Sequence, residues 1–150
     1  MADSVHKQVI DAFVAKAKTL SLAGLGNDQI REAWDVTPEQ LTGMKLPALL
    51  FSPAGNEEDL GGTNERDDIG YPVAALFLDR HPVTDPSNMD KALLWRQKVR
   101  RAFIQQRLSG VSSVYIVRYR SGPVVVQVPG AYQLLTQPLT FVAVSREARG

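Results

Sequence analysis

Two groups of side chains in this sequence have the types and spacing to do chemistry. Residues 53–70, PAGNEEDLGGTNERDDIG, carry six carboxylates (Glu57, Glu58, Asp59, Glu65, Asp67 and Asp68), four glycines and almost no apolar side chain. The second group is cationic. Arg96, Arg100 and Arg107 gather along one flank of an apolar helical stripe, and Arg118 and Arg120 stand two apart on one face of a strand.

The acidic segment tests poorly as a site for small ligands. Calcium loops place oxygen ligands at alternating positions around a glycine turn, and that spacing is not met. Asp67 and Asp68 are adjacent, so on a strand they point to opposite faces and do not form a catalytic carboxylate pair. Gly61-Gly62-Thr63 lacks the Gly-Lys-Ser/Thr ending of a phosphate loop, and the surrounding acids repel phosphate. The segment reads as a long polar loop or hairpin tip, and the preferred reading is a solvated, mobile acidic loop.

Other catalytic routes are thin. The chain has no cysteine, which removes disulfides, thiol nucleophiles, thiolate zinc sites and iron–sulfur clusters. It has only two histidines, His6 and His81, so one chain cannot build a multi-histidine metal site. Both read as surface or capping residues, and no serine nucleophile is marked beside them. An enzyme is disfavoured, and no cofactor or metal is expected. The arginines could contact phosphates without sequence specificity, but no recognition helix or single-strand-binding motif accompanies them. Arginine forks also pair with carboxylates across protein interfaces, and acids elsewhere in this chain could supply the partners.

The charge distribution favours that second use. Residues 1–68 hold 12 acids against 6 bases, whereas residues 69–150 hold 4 acids against 11 bases, although the formal net charge is only +1. Opposite-signed halves can present complementary surfaces to neighbouring copies of the chain.

The elements that must position these groups are legible from periodicity. Residues 4–20 read as an amphipathic helix: Val5, Val9, Ala12, Phe13, Ala17 and Leu20 share one face, with Asp3 or Ser4 as N-cap. Asp28–Trp34 reads as a short helical turn, and Thr37–Leu41 as a capped one. Residues 46–52 and 71–79 are apolar strands on either side of the acidic segment. A second helix runs from about residue 88 to Leu108, stopping at Ser109-Gly110, with Ala92, Trp95, Val99, Ala102 and Phe103 toward the core. Residues 112–120 and 124–128 form a hairpin turned by Ser121-Gly122-Pro123, and residues 139–145 form the last strand. In the first of these, Tyr115, Val117 and Tyr119 face one way, and Val114, Ile116, Arg118 and Arg120 the other.

The expectation is one α+β domain over residues 1–150. It has a mostly antiparallel sheet of about four to five strands, two main helices on one face, and a long polar loop over residues 53–70. The 150 residues, 44% hydrophobic and 22% charged, fit such a domain. No apolar run approaches the roughly 18 residues that span a bilayer, and the N-terminus does not read as a secretory signal.

The order of an N-terminal amphipathic helix, LPALLFSPAGNEEDLGGTNERDDIGYPVAALFLD, the long helix MDKALLWRQKVRRAFIQ and a terminal β-hairpin resembles the tail-terminator and neck (head–tail joining) proteins of tailed bacteriophages. That resemblance implies a non-enzymatic virion subunit, assembled in the host cytoplasm. It would close into a homo-oligomeric ring, commonly a hexamer, that contacts adjacent neck, adaptor or tail-tube proteins. DNA would pass through the lumen without sequence-specific binding, and no membrane is involved. Residues 53–70 and helix 88–108 are the candidate contact elements, which makes Glu57, Glu58, Asp59, Glu65, Asp67, Asp68, Arg96, Arg100, Arg107, Arg118 and Arg120 the candidate interface residues. The alternatives are a small nucleic-acid-binding module and another tail or head-completion component of a phage.

Overall fold

The structure, a computed structural model, describes residues 4–22, 24–32, 48–62, 65–80, 87–120, 126–127 and 134–148. Helix α1 (Val5–Lys18) opens on Ser4, whose side chain accepts from the Lys7 backbone N–H and so satisfies one free donor of the first turn. Lys16 and Lys18 lie in its last turn, where the helix dipole favours cations. A 3₁₀ turn (Asn27–Gln29) leads directly into a short strand, β1 (Ile30–Glu32). This replaces the helical turn expected from residue 28 onward: Ile30 is buried in the core and pairs in parallel with β2. The expected turn at Thr37–Leu41 lies outside the described residues.

The sheet is built around two long strands, β4 (Arg66–Arg80) and β7 (Leu134–Ala148). They run antiparallel in unbroken register from Arg66↔Ala148 to Arg80↔Leu134. At about 3.4 Å per residue such a pair is about 50 Å long. β2 (Ala48–Pro53) and then β3 (Glu58–Gly62) pair with successive stretches of β4. β5 (Val114–Arg120) and then β6 (Val126–Gln127) pair with successive stretches of β7. The result is a mixed seven-stranded sheet, ordered β1-β2-β4-β7-β5, with β3 beside β4 and β6 beside β7.

Several sequence expectations change here. Seven strands replace four or five, because β1, β3 and β6 are too short or too polar to show a period-2 pattern. The segment expected as a long polar loop is largely strand instead: Glu58–Gly62 pairs back onto Arg66–Gly70. The expected pairing of residues 112–120 with 124–128 is replaced by pairing of both β5 and β6 with β7. A bulge between Val114 and Ile116 resets the alternation of β5, so Val114 joins Val117 and Tyr119 against the core while Tyr115 turns away.

Helix α2 (Ser87–Phe103) stops a turn and a half before the predicted Leu108. Gln105 takes a left-handed φ of 56°, and its N–H donates to the Val117 carbonyl at 2.7 Å. Val117 N–H in turn donates to the Gln106 carbonyl at 3.1 Å. The chain leaves the helix to bond β5, and Leu108 and Val111 are buried beyond it.

One aromatic cluster joins these elements. Phe13 of α1 stacks on Phe103 of α2, with centroids 4.4 Å apart and planes 12° from parallel. Both rings also meet Phe51 of β2 and Phe141 of β7 at 5.6–6.3 Å. Trp95 stacks on Phe77 of β4 at 6.2 Å. Around them lie Leu49, Tyr71, Val73, Ala75, Leu139 and Ala143, alternate residues of their strands. Truncating Phe13, which touches three other rings, to alanine is expected to cost about 3–5 kcal/mol, read as a lowered guanidinium midpoint with an unchanged denaturant slope.

Candidate interaction surface

The candidate acids and arginines do not form one patch. β4 and β7 alternate, so residues of one parity face the aromatic core and those of the other parity face the opposite side of the sheet. Asp68 and Arg146 are register partners on that opposite side. Arg146 Nε donates to Asp68 Oδ1 at 3.0 Å, and Tyr115 O–H donates to Asp68 Oδ2 at 2.8 Å. The Arg146 guanidinium also lies over the Tyr115 ring, 4.8 Å from its centroid. These two donors hold the Asp68 carboxyl below its ordinary value, the Arg146 hydrogen bond contributing most and Arg118 adding a smaller attraction.

Glu58 and Arg120 form a second lock on the same side. The two terminal guanidinium nitrogens of Arg120, Nη1 and Nη2, donate to the two carboxylate oxygens of Glu58 at 2.8 Å each. This bidentate bond ties the β3 strand to β5, across the intervening β4 and β7, and holds the Glu58 pKa below its ordinary value. The β3 strand can lie close because Gly70 has no side chain: a Cβ there would meet Val142 Cγ1 at 2.7 Å and Leu60 Cδ1 at 3.3 Å.

Glu57 and Asp59 are exposed, and Asp59 Oδ1 accepts the Gly61 N–H at 3.0 Å. Glu65 is exposed just before β4, and Asp67 is half-buried opposite Gly62. Arg118 is exposed on β5. Arg96 donates to Tyr119 O–H at 3.2 Å, and Arg100 lies 5.5 Å from the Tyr119 ring centroid, so both flank α2 as expected. Arg107 does not share their flank, because the helix ends before it; it is exposed in the following segment.

Five participants were missed by sequence reasoning: Arg146, Tyr115, Tyr119 and the paired Tyr71 and Glu147. Tyr71 O–H donates to Glu147 at 2.6 Å, and burial, with that carboxylate beside it, pushes the phenol well above its ordinary value. The signal for Asp68–Arg146 is the β4–β7 register, which no local pattern displays. His6, expected at the surface or in a cap, is half-buried. Its Nε2 donates to the Pro72 carbonyl at 2.9 Å, and its ring tilts against Tyr71 at 5.3 Å. His81 lies outside the described residues. Among the described residues, no group of three or more His, Cys, Asp or Glu side chains is placed to hold a metal ion. No described helix is long and apolar enough to cross a membrane.

A concavity of about 420 Å³ opens on α2, lined by Leu93, Leu94, Arg96, Gln97 and Arg100. A smaller one of about 220 Å³ lies among Gly62, Arg66, Asp68 and Arg146.

No protein-family model matches the sequence. No curated protein matches it either. The fold is similar to that of a chain in the solved virion of a native gene transfer agent particle. The TM-score is 0.64 at 13% identity, covering 97% of this chain and 100% of that one. At that identity the likeness is one of fold.

Arg146→Gln is expected to move the Asp68 titration midpoint upward toward the ordinary carboxylate value of 3.8, with Tyr115→Phe giving a smaller move in the same direction. The folded-state pKa is the depressed one, so the interaction stabilises above the ordinary value and fades as pH falls through the lower folded midpoint. Carbon-detected NMR titration of the Asp68 carboxyl measures both shifts.

Proposed function

We propose that this chain is a structural subunit of a phage-like virion, of the tail-terminator or neck class. It acts as one α+β domain that assembles with copies of itself into a ring, of six subunits in the simplest case. The ring sits between head and tail, contacts adjacent neck, adaptor or tail-tube proteins, and leaves a lumen through which DNA passes without being read. The work is done by fit between surfaces and needs no bond-making chemistry.

One observation carries this reading. A virion chain of similar fold is matched along its whole length, with 97% of this chain aligned, so the likeness is not confined to one part of the domain. The charge layout supports it. The acidic segment and the basic helix belong to one chain, and unlike patches on one subunit make head-to-tail contacts, which close into rings when the rotation permits. The candidate interface residues divide under this reading. Glu58, Asp68 and Arg120 shape the subunit from within, as does Arg96 through Tyr119, whereas the exposed Glu57, Asp59, Arg100, Arg107 and Arg118 are the side chains proposed to meet neighbours.

Light scattering on the purified chain, followed by negative-stain imaging, tests the reading. A multimer of fixed stoichiometry with a central hole is the expected result. A monomer at every concentration, binding DNA with affinity that falls steeply with salt, would instead identify a nucleic-acid module.

A further inference from the structure

The large apolar side chains exposed among the described residues are three leucines: Leu60 at 44%, Leu93 at 45% and Leu94 at 44%. Single exposed leucines need no explanation, but these have oppositely charged surroundings. Leu60 stands on β3 between Asp59 and the tip glycines, with Glu57 exposed nearby, in a segment (57–68) that holds six acids and one base. Leu93 and Leu94 line the α2 concavity with Arg96, Gln97 and Arg100, in a helix that holds five bases and one acid. Lys98 and Arg101 are exposed on the same helix.

The two leucine patches cannot meet within one chain. Trp95, Val99 and Phe103 anchor α2 to the core side of the sheet, against Phe77 and Phe141. Leu60 approaches Gly70, whose missing Cβ would point at Val142, on the opposite side. The β4–β7 ladder stands between them. The partner that fits each patch is therefore the other patch on a second copy.

We infer that the β3 arm of one subunit docks on α2 of the next, with Leu60 seated in the Leu93–Leu94 concavity and Glu57 and Asp59 facing Arg100 and Arg101. This contact rests on the multimer reading above and deepens it by naming the surfaces. The leucines supply the apolar burial. The flanking charges set which patch meets which and disfavour arm-to-arm or helix-to-helix pairing, since each of those brings like charges together. A contact between two different patches leaves one of each free at the ends of any open chain, so it propagates until it closes.

The chain has no cysteine, so engineered thiols report the contact without background. The test uses the full chain carrying Leu60→Cys with Leu93→Cys, alongside each single variant, under mild oxidation. Circular dichroism and thermal melting check that all three variants fold. The double variant is expected to lose its monomer band to a ladder at successive multiples of the chain mass. Each single variant is expected to stay monomeric on a denaturing gel. If Leu93→Cys alone links into dimers as fully as the double variant, helix meets helix and the inference falls. If the wild-type chain is a multimer but the double variant gives no ladder, the ring reading stands and this contact is wrong. A wild-type monomer with no ladder at any concentration overturns both.

Discussion

The antiparallel ladder between β4 and β7 is the constraint on which the rest of this structure depends. Its register, unbroken from Arg66↔Ala148 to Arg80↔Leu134, decides which side chains of both strands face the core. Every other strand but β1 is placed by hydrogen bonding to one edge of that ladder. A slip by one residue would exchange the two sides of a strand, bringing Val142 and Ala148 where Phe141 and Glu147 now stand. The aromatic cluster penalises that slip strongly, because four phenylalanines from α1, α2, β2 and β7 meet only in one register. The Asp68–Arg146 bond reports the same register from the far side, but exposed ion pairs contribute little on their own. Register is held chiefly by the core, and the ion pair follows from it.

A proline explains why the strand beside β4 comes in two pieces, β2 and β3. In an antiparallel ladder the N–H and C=O of one residue point to the same neighbour. The Pro72 carbonyl accepts from Ala54 N–H at 3.0 Å, so its missing donor also faces the β2–β3 side, and residues 54–57 depart from the ladder there. The missing donor of Pro72 coincides with the break between β2 and β3. The break opposite Pro72 leaves room for the His6 ring to bond the same carbonyl, which ties α1 to the sheet.

Legibility in the sequence followed the same division. Helix α1 and the apolar centres of β2, β4, β5 and β7 carry their own period, and the buried stripes Val9, Phe13 and Ala17, and Trp95, Val99 and Phe103, were found from spacing alone. The ends of the long strands were not. Arg66–Gly70 and Arg146–Ala148 are polar because they lie beyond the core, yet they remain strands because the ladder continues past it. The early end of α2 was hidden for a related reason: Gln105 leaves the helix for a hydrogen bond to Val117, a partner twelve residues on. Of the candidate interface residues, type and location were legible, but their division was not. Nothing local in Glu58 or Arg120 says that each is already taken by the other.

That internal pairing changes what the charge asymmetry can do in an assembly. A carboxylate held bidentate by an arginine of its own chain has little left to offer a neighbour, so the acidic half acts outward with fewer charges than its composition suggests. Exposed charges are also screened beyond about 8–10 Å at physiological salt, which makes them a poor source of lasting affinity. They remain effective in orienting an encounter and in rejecting wrong pairings at close range. In the proposed ring, affinity must therefore come from apolar burial, and the three exposed leucines are the large apolar side chains that the described surface offers for it. They stand on opposite sides of the ladder that holds the subunit together. The rigidity that fixes the core thus also fixes the angle between the two docking surfaces, and that angle determines whether successive subunits close on themselves or run on without end.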